Sequence, residues 1–383
     1  MRGERFVRAG KSHQELLAAM LRECAGRTLY VYGARPIAYG AMQALMGLDL
    51  LPKGYVVTAR ADNPQAIDGM PVHLLADLPQ EAGACFFLAV PEYLQPEIRK
   101  SLAERGFSHV IGMDADLEFA LMGSYYRSRG LHFAGDSLYG EEEDLRPPSM
   151  ADIEIYVAQS ARDSSLRHSL AIAPPFYAVH AGAALDGAED ALAGTAFRDD
   201  DGESISEENR DYAELTVTYW AWKNRHPAVK GLAHYRRYLA LTEQELALLL
   251  QGIADVILPL PFLCWPDASV QYGRYNHPLA IEAMHAAIEE RSPAAAEQAR
   301  KILRGKQLYQ YNMPVARAEV FDAYAAWIFP ILARAKEIFN ARKGSGPQPD
   351  RLCGHMGEIL TSLYFTMHRK HLHIIHGRKV WLT

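Results

Sequence analysis

Short apolar runs alternate with helix-like stretches along the first 111 residues of the chain. The apolar runs lie at 28–32, 54–58, 85–90 and 108–111, and amphipathic stretches lie at 13–25, 37–46 and 91–105. Strands that are joined by crossover helices align in parallel, so this alternation predicts a Rossmann-like parallel sheet.

The length of the chain, 383 residues, accommodates two domains. The acidic segment Gly140–Pro148 ends in a proline pair, a composition typical of a linker. We therefore predict an accessory Rossmann-like domain at 1–138, a linker at 139–151 and a second α/β domain at 152–383. The expected elements of the second domain are strands near 153–158, 229–233, 255–258 and 314–317, and helices near 206–223, 279–303, 319–336 and 355–369.

Charge and hydropathy exclude two classes of protein. The net charge of −6 lacks the basic field of a nucleic-acid-binding protein. Neither a secretory leader nor a run of ~20 apolar residues is present, which predicts no transmembrane segment. The four cysteines are scattered without a CxxC pair, as expected for reduced thiols. We expect a cytoplasmic protein with no nucleic-acid partner.

A glycine turn follows the first apolar run. Gly33 precedes Arg35 and Pro36, whereas the dinucleotide fingerprint requires glycine at the position of Arg35 so that the pyrophosphate can approach the backbone. The pattern favours an accessory domain with a degenerate loop. An oxidoreductase or epimerase that acts through this domain is the less favoured alternative.

An acidic loop begins at Asp199. Gly202 is at the fourth position of the loop rather than the sixth, so the loop is not an EF-hand. Asp199 and Asp200 are either part of a solvated turn or acceptors for ribose and sugar hydroxyls. The residues from Ser204 to Glu207 have a capping-box pattern and predict the start of the helix at 206–223.

Glu214 lies within that helix, and Lys223 and Asn224 end it; these three polar residues are hard to place in a core. The next strand, near 229–233, is followed by His234, Arg236 and Arg237. Ligands of open α/β sheets bind beyond the carboxyl ends of strands, and arginine suits bidentate phosphate contact. The alternative is that both arginines pair with the acidic loop and that His234 is a buried imidazole.

The C-terminal third offers further candidates. Asn312 begins a strand, and Arg351 opens a glycine-containing helix that carries Glu358. Glu358 is the candidate general base towards an acceptor hydroxyl, and Asp350 is the competing carboxylate. The tail histidines His371, His373 and His376 have no cysteine or carboxylate nearby, so we predict no metal site there.

The second domain resembles a family of bacterial capsular-polysaccharide and exopolysaccharide biosynthesis proteins, long filed as a domain of unknown function, whose members are glycosyltransferases or similar to them. The matching blocks are Arg198–Asp200 with Gly202, Ile205–Ser206 and Asn209; Glu214–Thr216; Tyr219–Trp220; Trp222–Asn224; Gly231–Leu232; His234–Tyr238; Tyr311–Met313; and Arg351, Gly354 and Glu358. The resemblance covers roughly residues 152–370. Pro314, Ala213 and Ala233 depart from the family pattern without removing a polar candidate.

The resemblance implies a GT-A-like domain that binds a nucleotide sugar and transfers the sugar to a glycan acceptor in surface-polysaccharide synthesis. The donor is expected to be UDP-linked, and a lipid-linked acceptor at the inner membrane face is compatible with it. The implied binding residues are Arg236, Arg237, Asp199, Asp200, Asn209, Lys223, Asn224, Asn312 and Arg351; the implied catalytic residues are Glu358, Asp350 and His234. Many GT-A enzymes bind Mn²⁺ or Mg²⁺ through Asp-x-Asp, but the arginines here could replace that metal. A non-catalytic nucleotide-sugar-binding scaffold is the alternative.

Overall fold

The computed structural model describes residues 12–81, 83–136, 148–164, 166, 172–186, 192, 194–274, 276–344 and 349–382. The chain divides into two compact units, the first formed by residues 1–131 and 262–266, the second by 132–261 and 267–383. Most of the linker predicted at 139–151 lies outside the described residues. The short segment Phe262–Pro266 groups with the first unit, where Trp265 Nε1 donates to Asp68 Oδ1 at 2.9 Å.

The first unit contains a six-stranded sheet. Its strands are β1 (Leu29–Tyr32), β2 (Tyr55–Val57), β3 (Ala66–Ile67), β4 (Met70–Leu74), β5 (Cys85–Leu88) and β6 (His109–Gly112), and its helices are α1 (His13–Cys24), α2 (Pro36–Met46), α3 (Gln95–Glu104) and α4 (Ala115–Arg127). The strand order is β3-β4-β2-β1-β5-β6, and every pairing is parallel except that of β3 with β4. The predicted Rossmann-like parallel sheet is confirmed.

The glycine turn after β1 is explained by close packing. Gly33 has a φ of +118°, and a Cβ at this position would lie 3.0 Å from the Ala89 carbonyl oxygen and 3.1 Å from Val90 Cγ1. Only glycine therefore fits where the turns after β1 and β5 meet. Arg35, two residues later, is exposed at the start of α2.

The second unit is built on a larger sheet. In chain order the remaining strands are β7 (Ile153–Gln159), β8 (Phe176–His180), β9 (Phe197–Arg198), β10 (Val229–His234), β11 (Arg237–Leu239), β12 (Val256–Pro259), β13 (Phe262–Leu263, in the first unit), β14 (Gln307–Leu308), β15 (Val315–Arg317), β16 (Ile374–Gly377) and β17 (Lys379–Trp381). The helices are α5 (Asn209–Tyr212), α6 (Leu215–Asn224), α7 (Glu243–Leu250), α8 (Ala268–Gly273), α9 (Pro278–Arg291), α10 (Pro293–Leu303), α11 (Ala318–Arg342) and α12 (Leu352–His368).

The strand order of this sheet is β16-β12-β15-β10-β7-β8-β9, and β11 and β17 extend it from β10. The chain runs from β7 through β8 to β9 in one direction, and β10 then pairs in parallel with the opposite edge of β7. The order therefore reverses between β7 and β10, the topological switch point at which open α/β sheets bind ligands.

Two predicted helices differ from the observed ones. The helix predicted at 206–223 is broken at Ala213, whose φ of +49° and ψ of −129° end α5. Ser204 does not cap it; its hydroxyl donates to the Asp199 carbonyl at 2.7 Å. The helix predicted at 279–303 is divided into α9 and α10 because Pro293 cannot continue α9.

Candidate active site

A pocket of about 300 Å³ lies at the switch point of the second unit. Five arginines and three carboxylates are among its lining residues, so cationic groups predominate in a chain whose net charge is −6. The lining residues are Ala158, Gln159, Ser160, Arg162, Asp163, Ala181, Asn209, Arg210, Ala213, Glu214, His234, Tyr235, Arg236, Arg237, Asp350 and Arg351. A concentration of arginines at a switch point suits an anionic ligand.

Arg236 and Arg237 line this pocket directly after β10, as the sequence predicts. In the described part of the chain neither guanidinium pairs with a carboxylate. Arg237 instead lies over aromatic rings, and its Nε is buried without a hydrogen bond. Burial lowers the pKa of Arg237, which expresses the cost of holding a cation there without an anion. Pairing with the acidic loop, the alternative interpretation, is not observed.

Glu214 is the buried centre of the site, although the sequence marked it only as hard to place in a core. Its Oε2 accepts from Arg351 Nη2 at 2.9 Å, its Oε1 accepts from Asn312 Nδ2 at 2.9 Å, and His234 Nε2 lies 3.8 Å away. Burial raises the pKa of Glu214, but the charge that His234 carries when it is protonated, the charge of Arg351 and the Asn312 hydrogen bond outweigh it, so the pKa is lowered. The group is a carboxylate at neutral pH.

His234 is 7% exposed at the end of β10. Its Nε2 lies 2.8 Å from the Tyr311 carbonyl oxygen, which can only accept, so Nε2 carries the proton and Nδ1 is left as an acceptor. Burial lowers the pKa of His234, more than the neighbouring Glu214 raises it. The imidazole is therefore neutral near pH 7.

Asn312 is a buried residue that holds Glu214 in place by a hydrogen bond. It is fully buried, its amide donates to Glu214 and to the Gly354 carbonyl at 3.0 Å, and its oxygen accepts from Thr361 at 3.0 Å. Both Tyr311 and Asn312 have positive φ, +81° and +44°. Such backbone persists only where surrounding contacts fix it.

The acidic loop is held by contacts with the turn after β8 and with its own neighbouring residues. The fully buried Asp199 accepts from the Gly182 and Ala183 amides and from the Ser206 hydroxyl. Asp200 forms a bidentate pair with Arg198, at 2.8 and 3.0 Å.

Two further predicted residues, both at the end of α6, contact Glu203 of this loop. Lys223 Nζ lies 3.1 Å from a Glu203 carboxylate oxygen, and Asn224 hydrogen-bonds the backbone of Glu203 in both directions. The side chains of Asp199, Asp200, Lys223 and Asn224 are therefore occupied by contacts within the protein, and these four residues do not line the pocket with Arg236.

Three of the remaining candidates line the pocket, and Glu358 is not among its lining residues. Asn209, Asp350 and Arg351 line it. Glu358 lies on α12 and is half-buried; burial, then the charge of Glu214, raise its pKa to about 7 against the opposing effect of Arg237 and Arg351. A carboxyl group with that pKa exchanges a proton near neutral pH.

The loop after β7 was missed by sequence reasoning. Ser160, Arg162 and Asp163 line the pocket, and the Ser160 amide donates to Asp163 Oδ2 at 2.8 Å. The strand-end rule that identified Arg236 would have identified them, because they directly follow the strand predicted near 153–158, which the structure shows as β7.

The residues at the strand ends do not fit a divalent cation of the Asp-x-Asp type. His234, Tyr235 and the two arginines follow β10, and the carboxylates of Asp199 and Asp200 are already bound. Across the described ranges, no three His, Cys, Asp or Glu side chains come together as a metal-binding group.

The tail histidine His376 is buried, and its ring nitrogens contact the His132 carbonyl and the Tyr309 hydroxyl. His373 Nδ1 lies 3.2 Å from the Ile253 carbonyl oxygen.

Among the helices that the structure describes, none has the length and apolar character needed to cross a bilayer.

A solved structure shares this fold. The apo structure of the WbbM bifunctional glycosyltransferase aligns with 60% of this chain at a TM-score of 0.51 and 22% identity, and the alignment covers 45% of that protein. The fold is therefore the predicted one, a Rossmann-like parallel sheet followed by a GT-A-like α/β unit. None of the curated proteins compared with the chain matches it. The family described as Domain of unknown function (DUF4422) matches residues 164–370, more than half of the chain and most of the second unit, and the protein belongs to that family.

Proposed function

We propose that the protein is a glycosyltransferase whose second unit binds a nucleotide-diphosphate sugar at the switch point between β7 and β10. The observation that carries the proposal is the pair Arg236 and Arg237, which lines the pocket without a carboxylate partner in the described part of the chain. A diphosphate is the ligand whose charge and oxygen spacing two guanidinium groups match. The fold that the chain shares with the WbbM bifunctional glycosyltransferase supports the same activity.

The arginines would stabilise the leaving group. When the acceptor hydroxyl oxygen bonds to the anomeric carbon, the bond from that carbon to the diphosphate oxygen breaks and the diphosphate leaves with the electron pair. Positive charge fixed beside that oxygen lowers the barrier because the negative charge grows in the transition state. Arg351, which Glu214 orients, is a further cation of the pocket. No step requires a metal.

Glu358 is our proposed proton acceptor for an inverting transfer. Its raised pKa, about 7, matches a general base that works near neutral pH. Asp350 lines the pocket and is exposed, so it is the second choice. His234 lines the pocket with Nδ1 as an acceptor and would bind a hydroxyl of the donor. Asn209 would do the same from the start of α5.

The finer assignment follows the family resemblance. We propose a UDP-linked donor, a growing capsular or exopolysaccharide acceptor and a cytoplasmic site of action. A lipid-linked acceptor would bring the protein to the inner face of the membrane as a peripheral enzyme. Asp199, Asp200, Lys223 and Asn224 would shape the loop next to the donor site instead of binding the donor themselves.

Calorimetric titration with UDP, UDP-galactose and UDP-glucose tests donor binding, each in Mn²⁺ and in chelator. Arg236→Ala should weaken UDP binding by about 10- to 100-fold, the worth of a lost charge-assisted contact. Arg342→Ala, at the exposed end of α11, is the matched control. Binding that disappears in chelator overturns the replacement of metal by arginine.

A turnover assay separates an enzyme from a scaffold. Release of UDP from a bound UDP-sugar in the presence of an acceptor glycan supports catalysis. Tight UDP-sugar binding with neither transfer nor hydrolysis would assign the protein to the scaffold class. Absence of binding to every UDP ligand would move the proposal to another nucleotide.

A further inference from the structure

The side chain of Arg237 is held by two aromatic rings. In the pairing of β11 with β17, Arg237 lies opposite Trp381. Arg237 Cζ lies 4.0 Å from the Trp381 ring centre and 4.8 Å from that of Tyr311. The two rings are 6.3 Å apart and nearly perpendicular, at 85°. The guanidinium therefore packs into the corner that they form.

Other arginines of this unit are held in a different way. Arg225 binds Glu154 at 2.6 Å, and Arg198 binds Asp200 at 2.8 Å. A carboxylate fixes an arginine but cancels its charge, whereas an aromatic face attracts the cation through its quadrupole and leaves the net charge in place. Arg237 has no carboxylate partner among the described residues, so its charge remains available to a ligand.

The two rings are themselves fixed. The Tyr311 carbonyl accepts from His234, and the next residue, Asn312, is bound to Glu214 and Gly354. These contacts hold the positive φ of Tyr311, a backbone conformation that residues other than glycine adopt only where their surroundings fix it.

Among the phenylalanine, tyrosine and tryptophan side chains described in the second unit, Trp381 is the one that is exposed, at 42%. The β-ladder sets its backbone, since Arg237 pairs with Trp381 and Tyr238 pairs with Val380. A large ring left this open gains little from burial. Contact with Arg237, rather than burial, therefore accounts for a tryptophan at position 381.

We propose that Trp381 and Tyr311 are positioning residues that hold the Arg237 guanidinium at the pocket with its charge intact for a diphosphate. The identity of the ligand rests on the proposed function. Both rings act through Arg237, which lies closer to Trp381, at 4.0 Å, than Arg236 does, at 5.7 Å, and in this proposal neither ring contacts the reacting atoms. The two rings should affect binding of the phosphate groups of a nucleotide sugar. The affinity for a nucleoside without phosphate should therefore not change when either ring is removed.

Two substitutions in the full-length chain test this. Trp381→Leu removes the ring, and Trp381→Phe keeps one. Each variant is titrated with UDP, inorganic pyrophosphate and uridine. The Leu variant should bind UDP and pyrophosphate about tenfold more weakly, and the Phe variant should remain within about twofold of the original protein. Uridine affinity should be unchanged in both.

Each outcome of these titrations either supports or overturns the proposed role of Trp381. Equal pyrophosphate affinity in the Leu and Phe variants overturns it, and so does an equal loss for uridine, which would indicate a general structural effect. Pyrophosphate binding without UDP binding in the original protein would contradict the proposed donor, while the Leu–Phe comparison would still decide the role of Trp381. If neither ligand binds, both proposals fail. Should Trp381→Leu not fold, Trp381→Met fills the space without a ring.

Discussion

Glu214 Oε2 accepts a hydrogen bond from Arg351 Nη2 at 2.9 Å across 137 positions of sequence. The bond joins the break between α5 and α6 to the first residue before α12. Glu214 is 7% exposed, while the Arg351 side chain is 43% exposed and reaches the pocket. A buried carboxylate therefore orients a cation that a ligand can contact.

Glu214→Gln should lower the free energy of unfolding by about 2 kcal/mol, because the charge that Arg351 and Asn312 contact is removed from a buried position. Urea denaturation measures the change. Glu337→Gln is the matched control, since Glu337 pairs with Arg334 on the surface, where such pairs contribute below about 1 kcal/mol. Equal effects of the two substitutions would contradict the supporting role of Glu214.

Ala213→Gly should stabilise the protein by about 1 kcal/mol. Ala213 has a φ of +49°, a conformation that glycine adopts without a steric penalty. Ala221→Gly, in the middle of α6, is the control and should destabilise by about 1 kcal/mol or more. The two midpoints in urea should move in opposite directions; a lower midpoint for both would show that the Ala213 methyl group contributes packing that outweighs the strain.

Glu245 predicts a pH dependence of stability. It is 6% exposed, and burial raises its pKa to about 7 although Thr242 hydrogen-bonds its carboxylate. The folded state then holds the proton more tightly than the unfolded chain. The contribution to stability is complete below about pH 4.5 and is lost as the pH rises to about 7.

The measurement is the free energy of unfolding of the original protein and of Glu245→Gln from pH 4.5 to 7.5. The difference between the two should change by up to about 3 kcal/mol over that range. Any contribution from Glu358 is present in both proteins and cancels. A difference that is constant with pH would mean that Glu245 is ionised throughout.

Glu358→Gln should reduce turnover by about 100-fold or more and leave the affinity for UDP unchanged, since it removes the proposed base and not a phosphate contact. In the original protein kcat/KM should rise with pH up to about 7, where the carboxyl group loses its proton. Initial rates of transfer from a UDP-sugar check both statements. If Asp350→Asn causes the loss instead, the role of base passes to Asp350.

The role of the acidic loop could not be predicted from its local sequence. Asp199 and Asp200 stand beside a glycine turn, and that pattern is shared by ligand-binding and self-contained loops. Only the fold shows that Asp199 receives the Gly182 and Ala183 amides. Arg236 was found more easily, because an apolar strand that ends in basic residues points to the sheet edge whatever the strand order is.

The sequence by itself determined four strands of the six-stranded sheet (β1, β2, β5 and β6), four strands of the nine-stranded sheet (β7, β10, β12 and β15) and the arginine pair after β10. Periodicity and strand-end chemistry are local properties, and they survive any arrangement of the strands. The tertiary structure alone decided that β10 pairs with β7, which creates the switch point, and that Glu214 meets Arg351 and Trp381 meets Arg237. The two side-chain contacts join positions more than a hundred residues apart, and the strand pairing joins positions 76 residues apart, Ile153 with Val229, so all of them depend on how the whole sheet packs.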